Sequence, residues 1–177
     1  KLAKLRDMGK DPYEEDKFLV SHRSKEIVEN YEELENKDVA IAGRIIARRL
    51  MGKASFIHIL DGEGTIQSYI RIDDVGEETY KQFKEWDIGD IIGVEGMVFR
   101  TQTGEISVHA TSIKLLSKSL IPLPEKFHGL TNNDLRFRQR YVDLIMNDNV
   151  KRNFIIRSQF IKFMRKYLDD MNYIEVE

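Results

Sequence analysis

Phe56 and His58 stand two residues apart in the stretch Ser55 to Asp61, and Gln67, Tyr69 and Arg71 share that spacing in Ile66 to Ile72. In an extended chain this spacing puts side chains on one face. Ile57 and Ile59, and Ile66, Ile70 and Ile72, then take the opposite face. An aromatic ring beside an amide and several cations can read a single-stranded base. The ring offers a stacking surface worth about 1–3 kcal/mol per base. Gln67 can donate and accept on a base edge, and arginine neutralises phosphate. Arg44, Arg48, Arg49 and Lys53 fall within ten residues that contain no acid, and Arg44 and Arg48 are expected to share the outward face. Glu105, opening a later strand, can accept from a base N–H. The candidate nucleic-acid-binding set is Arg44, Arg48, Lys53, Phe56, His58, Gln67 and Glu105. The plainer reading is an outward Phe covered by a neighbouring segment, with Arg and Gln merely solvated.

Other chemistries find little support. The four histidines, His22, His58, His109 and His128, are scattered without metal-ligand spacing, and there is no cysteine, so thiolate metal sites, thiol catalysis and disulfides are excluded. No metal site is expected. Gly52-Lys53 resembles the end of a phosphate loop, but Ala47 stands where Gly is needed and Ala54 where Ser or Thr is needed. No Ser/His/Asp set or carboxylate pair stands out, so no catalytic residue is expected. Arg136, Arg138 and Arg140 alternate; an ordinary charged strand or turn is favoured over phosphate contact. With 28 Lys and Arg against 30 Asp and Glu, the net charge is −2. A protein that coats duplexes would carry a broad basic excess; a local base-reading site needs none. No apolar run approaches the ~18 residues of a membrane-spanning helix, so no membrane association is expected.

The elements that would position these residues follow from periodicity. Residues 24–35 read as a helix with Ser24 as N-cap and Ile27, Val28, Tyr31 and Leu34 on one face. From Val39 to Leu116 the period becomes two, in five runs separated by turns at 51–53, 61–64 and 101–104, with a helical pattern through Val75, Tyr80, Phe83 and Trp86 after the third run. Three strands, a helix and two strands is the order of an OB-fold, a small closed barrel whose strand 2–3 face and flanking loops bind oligonucleotides. The expected class is therefore mainly β: a five-stranded OB-fold barrel with an N-terminal helix. Pro122 and Pro124 mark a linker. Residues 150–171 form an amphipathic helix of about 33 Å, its apolar face built from Phe154, Ile155, Phe160, Ile161, Met164, Leu168 and Met171. Tyr173 to Glu177 looks like a strand just starting. The expected organisation is 1–36 helical segment, 37–117 barrel, 118–135 linker and 136–177 the start of a second domain.

Several segments carry a resemblance. Pro122-Leu-Pro-Glu-Lys-Phe-His-Gly-Leu130 and Arg136-Phe-Arg-Gln-Arg-Tyr-Val-Asp-Leu-Ile145 resemble the junction of the bacterial-type class II lysyl-tRNA synthetases. Gly43 to Phe56, Ile88 to Gly96 and Arg100 to Glu105 look like the anticodon-binding OB domain of the same family. Aspartyl- and asparaginyl-tRNA synthetases share the architecture; the stretch 122–130 tips the resemblance to lysine. It implies that Phe56 stacks on the central anticodon uridine, that Gln67 and Glu105 read its edge, and that Arg44 contacts anticodon nucleotides. It also implies that 150–177 is most of motif 1, the truncated start of an α/β catalytic domain, with Phe154, Ile155, Phe160, Ile161, Met164 and Leu168 at a homodimer interface.

The chain starts with Lys1 and stops inside a pattern, so a piece of a longer protein is expected, lacking motifs 2 and 3 and inactive alone. The parent would join lysine to tRNA(Lys) using ATP and Mg2+; this piece would bind no cofactor and contact the anticodon loop. With no signal peptide, the resemblance implies a cytoplasmic location. Two other functions fit the same face: a stand-alone single-strand-binding OB protein, for which residues 136–177 have no purpose, and a protein-interaction module.

Overall fold

The computed structural model describes residues 1–7, 9–14, 17–123, 130 and 132–176. It divides into two compact units, Lys1–Pro122 and Leu123–Glu177. Most of the junction stretch 122–130 and the final Glu177 lie outside the described residues.

In the first unit, α1 (Leu2–Asp7), a short 3-10 turn, α2 (Ser24–Glu29) and α3 (Tyr31–Leu34) precede the strands β1 (Asp38–Met51), β2 (Ala54–Leu60) and β3 (Thr65–Arg71). Helices α4 (Ile72–Val75) and α5 (Glu77–Phe83) follow, then β4 (Ile91–Arg100) and β5 (Ile106–Ser117). The strands close in the order β1-β2-β3-β5-β4, with β3 and β5 parallel and the other pairs antiparallel. This is the expected OB-fold barrel. Its interior is the period-two set: Ile41, Ile45, Ile57, Ile59, Ile66, Ile70, Ile92, Val94, Val98 and Val108 are all buried. Tyr80, Phe83 and Trp86, from α5 and the turn after it, complete this core.

β1 serves two partners. Asp38 to Arg44 pairs with β4 and Arg44 to Met51 with β2. Where it changes partner the chain runs very close to β2. A Cβ on Gly43 would lie 2.5 Å from the Leu60 carbonyl oxygen, so only glycine fits. A bulge follows: Ile45 opposes Ile59 and Ala47 opposes His58, leaving Ile46 as the extra residue.

Three local expectations are corrected. Ile72 does not extend β3 but opens α4, whose first turn carries Asp73 and Asp74; acids there suit the helix dipole. The helix expected over 24–35 is broken at Asn30 into α2 and α3, and Ser24 lies inside α2 rather than at its cap, which is Arg23. The Ser24 N–H and hydroxyl both donate to Asp61, each at 2.7 Å. Asp61 also accepts from the Glu63 and Gly64 N–H groups, so one carboxylate builds the β2–β3 hairpin and ties α2 to it. Burial raises the Asp61 pKa, but these donors outweigh it and hold it below the ordinary carboxylate value.

An ionic knot joins the start of β4 to the end of β5. Lys118 Nζ lies 2.7 Å from both Asp90 Oδ1 and Asp87 Oδ2, with the Lys118 side chain 3% exposed and that of Asp90 fully buried. Asp90 also accepts from the Asp87 and Ser119 N–H groups at 2.8 Å.

In the second unit, α6 (Asn133–Arg138), α7 (Arg140–Met146) and α8 (Asp148–Asp170) follow one another. The alternating arginines therefore lie on helices rather than on a strand or open turn. Arg136 Nε, Arg140 Nη1 and Asn147 Nδ2 donate to the fully buried Asp143 carboxylate at 2.9, 2.5 and 2.6 Å. Tyr173 to Val176 forms no strand.

Burial lowers the Lys118 pKa, but hydrogen bonds to Asp87 and Asp90 reverse this and leave it raised. Its contribution to stability is thus full below the unfolded lysine pKa of about 10.4 and is lost as pH rises through the higher folded value. Lys118→Met leaves Asp90 buried without its cation and should cost about 3–5 kcal/mol at pH 7. Urea denaturation should show the gap from wild type narrowing above about pH 10.4.

Candidate nucleic-acid interface

The outward face of β2, β3 and β5 carries two parallel rows fixed by strand register. Phe56 opposes Tyr69, which opposes His109; one pleat away, His58 opposes Gln67, which opposes Ser107. The first row is aromatic. Phe56 and Tyr69 ring centroids are 4.7 Å apart and tilted by 31°, and Tyr69 lies 5.3 Å from His109 and 6.2 Å from Phe99. Such offset pairs hold rings rigid while one face of the outer ring stays available. The second row is polar. Gln67 Nε2 donates to Glu105 Oε2 at 2.7 Å, and His58 Nε2 lies 3.2 Å from Glu105 Oε1. Phe56 and Tyr69 of the first row and His58 and Gln67 of the second line a cleft of about 730 Å³, together with residues of β1, Phe99, Thr101 to Thr103 and Glu105.

Five of the seven sequence-selected residues, Arg48, Phe56, His58, Gln67 and Glu105, line this cleft. Gln67 is not the exposed amide its outward position suggested; it is 9% exposed, with both ends already bonded. The carboxylate of Glu105, 46% exposed, is the more open polar group of the pair.

Arg44, Arg48 and Lys53 are not brought to the ring. The bulge at Ile46 shifts the phase of β1, so Arg48 opposes Ile57 and Arg49 opposes Phe56. Arg44 and Arg48 therefore do not share a face. Arg44 Nη1 donates to the Gly89 carbonyl at 2.6 Å; burial lowers its pKa, and Asp90 opposes the shift. Arg48 Nη1 donates to the Trp86 and Lys84 carbonyls just beyond α5. Arg48 borders the cleft, but its guanidinium is engaged there. Lys53 sits in the exposed β1–β2 turn and does not line the cleft. The cation opposite the ring is Arg49, which the alternation missed because no glycine marks the bulge. Tyr69 and Phe99 were also missed as cleft residues. Tyr69 was legible as outward, whereas Phe99 joins the cleft only through the barrel pairing.

Among the described residues no group of three or more His, Cys, Asp or Glu is placed to hold a metal ion, and no helix is long and apolar enough to cross a membrane. In the second unit, Phe154, Ile155, Phe160, Ile161, Met164 and Leu168 of α8 are all exposed, as are Ile156, Phe163 and Tyr167. The apolar surface of this helix is thus wider than a single stripe.

Comparison with known proteins agrees with this division. Residues 39–116 match the OB-fold nucleic acid binding domain of the tRNA anti-codon family, and residues 132–177 match the class II (D, K and N) tRNA synthetases. The chain therefore combines an anticodon-type OB domain with class II synthetase sequence. Over all 177 residues it is 54% identical to the Lysine--tRNA ligase of Clostridium tetani, 55% to that of Clostridium botulinum and 52% to that of Clostridium acetobutylicum. Over its whole length the chain is thus similar to part of these ligases. It spans about a third of the length of these curated relatives, 35%, 35% and 34% respectively.

The placement of the arginines gives a clean contrast. Arg49→Ala should weaken single-stranded RNA binding by a similar factor for all sequences and reduce the slope of log K against log salt by about 0.7. Arg48→Ala should leave that slope unchanged and instead lower the melting temperature, because carbonyls beyond α5 lose their donor. Titrations at several salt concentrations, paired with thermal melts, check both.

Proposed function

We propose that the barrel reads the anticodon loop of tRNA(Lys), and that the protein to which this sequence belongs joins lysine to that tRNA using ATP. The observation that carries the reading is the row of tilted aromatic rings beside a held carboxylate, within the OB-fold stretch 39–116 that matches the tRNA anti-codon family. On this reading the central uridine stacks on Phe56. Its imino N–H donates to Glu105, which Gln67 and His58 hold in place. Arg49 supplies the nearest free guanidinium for the backbone. Arg44, Arg48 and Lys53 lie around the rim, and the two arginines act mainly by fixing the segment that follows α5.

The remaining assignments belong to the same reading. Residues 1–36 precede the barrel at 37–117, a linker spans 118–135, and 136–177 begins the class II catalytic domain. The apolar side chains Phe154, Ile155, Phe160, Ile161, Met164 and Leu168 would pack against a second copy. A helix with so much exposed apolar surface favours a partner. Among the described residues no group of three or more His, Cys, Asp or Glu is placed to hold Mg2+, and no step through Mg2+ or ATP is assigned to this chain. The setting would be cytoplasmic.

Binding to anticodon stem-loops tests the reading. The chain should prefer a loop with uridine at the central position, and Phe56→Ala should weaken that complex by about 1–3 kcal/mol without loss of the β-barrel circular dichroism signal. Equal affinity for loops with and without that uridine, or for unstructured oligonucleotides, would instead indicate a general single-strand binder.

A further inference from the structure

Behind the polar side chains of the cleft lies a hydroxyl that the anticodon reading does not use. Ser107 is fully buried, and its neighbour Gln67 is 9% exposed. Ser107 Oγ donates to Gln67 Oε1 at 2.9 Å, with the Glu105 carbonyl 3.3 Å away as a second acceptor. At its other end Gln67 Nε2 donates to Glu105 Oε2 at 2.7 Å. His58 Nε2, 3.2 Å from Glu105 Oε1, completes the chain. A carboxylate only accepts, so this nitrogen is the one that carries hydrogen. The barrel core is apolar and lies on the opposite face of these strands. The polar chain is therefore not needed to fill the interior.

An amide can sit in a site in two orientations, and here they are not equivalent. Turned over, Gln67 would press its carbonyl oxygen against the Glu105 carboxylate. In the observed orientation the amide oxygen is the buried end, and Ser107 is its donor. Without that hydroxyl the buried oxygen is left without this partner, a cost that favours rotation of the side chain away. Glu105 then loses its best-placed donor and the direction in which its carboxylate is held.

We propose that Ser107 is a positioning residue for base discrimination. Through Gln67 it holds the Glu105 carboxylate toward the cleft as an acceptor, and so favours a base whose ring nitrogen carries hydrogen over one whose ring nitrogen carries a lone pair. Uracil is of the first kind and cytosine of the second. A ring nitrogen lone pair brought against the carboxylate is repelled, so the discrimination depends on the carboxylate staying where it is. The inference rests on the anticodon-reading assignment above.

The test compares affinities of the 177-residue chain for two anticodon stem-loops that differ only in uridine or cytidine at the central position. Wild type, Ser107→Ala, Gln67→Ala and the double variant are each titrated and melted. Ser107→Ala is expected to weaken the uridine complex about 5- to 10-fold and to leave the cytidine complex nearly unchanged. The double variant should match Gln67→Ala alone. Equal weakening of both complexes overturns the proposal, because that is what a merely structural serine would do. So does an undiminished preference in Ser107→Ala, or a further loss of preference when Ser107→Ala is added to Gln67→Ala. A wild-type chain that does not distinguish the loops overturns the anticodon reading, and this inference with it.

Discussion

The shape of the barrel depends on one strand being hydrogen-bonded to two neighbours in succession. β1 spends its first half on β4 and its second half on β2, with Arg44 paired to both. A five-stranded sheet cannot stay open without exposing two edges, and this shared strand removes one of them; the parallel β3–β5 pair closes the rest. The geometry leaves little room at the crossover, where Gly43 lies against the Leu60 carbonyl. The bulge immediately after it lets the second half of β1 turn onto β2. That extra residue also decides which cation the outer surface presents beside the aromatic row. It exchanges the faces of Arg48 and Arg49, sending one guanidinium to the carbonyls beyond α5 and leaving the other opposite Phe56.

The interior and the aromatic row were legible in the sequence because both depend on an alternation of two, which barrel burial enforces strictly. Ile57, Ile59, Ile66 and Ile70 point inward as their spacing requires, so Phe56 and Tyr69 have no choice but to point out. The misread positions have other causes. Ile72 continued the alternation and is a good strand former, yet the acids at 73 and 74 and the glycine at 76 (φ 85°) favour a helical turn. Ser24 has the chemistry of a cap, but Asp61, 37 residues away, takes its hydroxyl. Gln67 reads as a solvated amide until β5 places Ser107 beside it. Contacts between residues far apart in sequence decided the cases of Ser24 and Gln67, and no local pattern carries that information.

The near-neutral charge acquires a physical meaning from the cleft. Of the four cations between 44 and 53, two are hydrogen-bonded to backbone carbonyls and contribute little free charge to a ligand. Glu105, meanwhile, places an anion on the face that would approach RNA. A surface built to collect phosphates would avoid that carboxylate, since it works against counterion release. Its presence is intelligible if the interaction is aimed at base edges, where an acceptor selects one base over another and phosphate contacts carry no sequence information.

The same logic explains why the cleft is built on strands rather than on the loops alone. Discrimination between bases by one acceptor requires that the acceptor cannot swing to suit the wrong ligand. Phe56 is braced by Tyr69, and Tyr69 by His109 and Phe99, so the plane on which a base would stack is set by four strands. Glu105 follows the β4–β5 turn, where Gly104 adopts φ 90°, a conformation that favours glycine. The end of that turn would be the most mobile part of the site were its carboxylate not tied to Gln67 and His58 on the sheet. A mobile acceptor would adjust to either base and lose selectivity at little cost in affinity. Anchoring the loop-borne Glu105 to side chains of β2 and β3 joins the rigidity of the barrel to the reach of the loop, and on the proposed reading base selection would depend on that coupling.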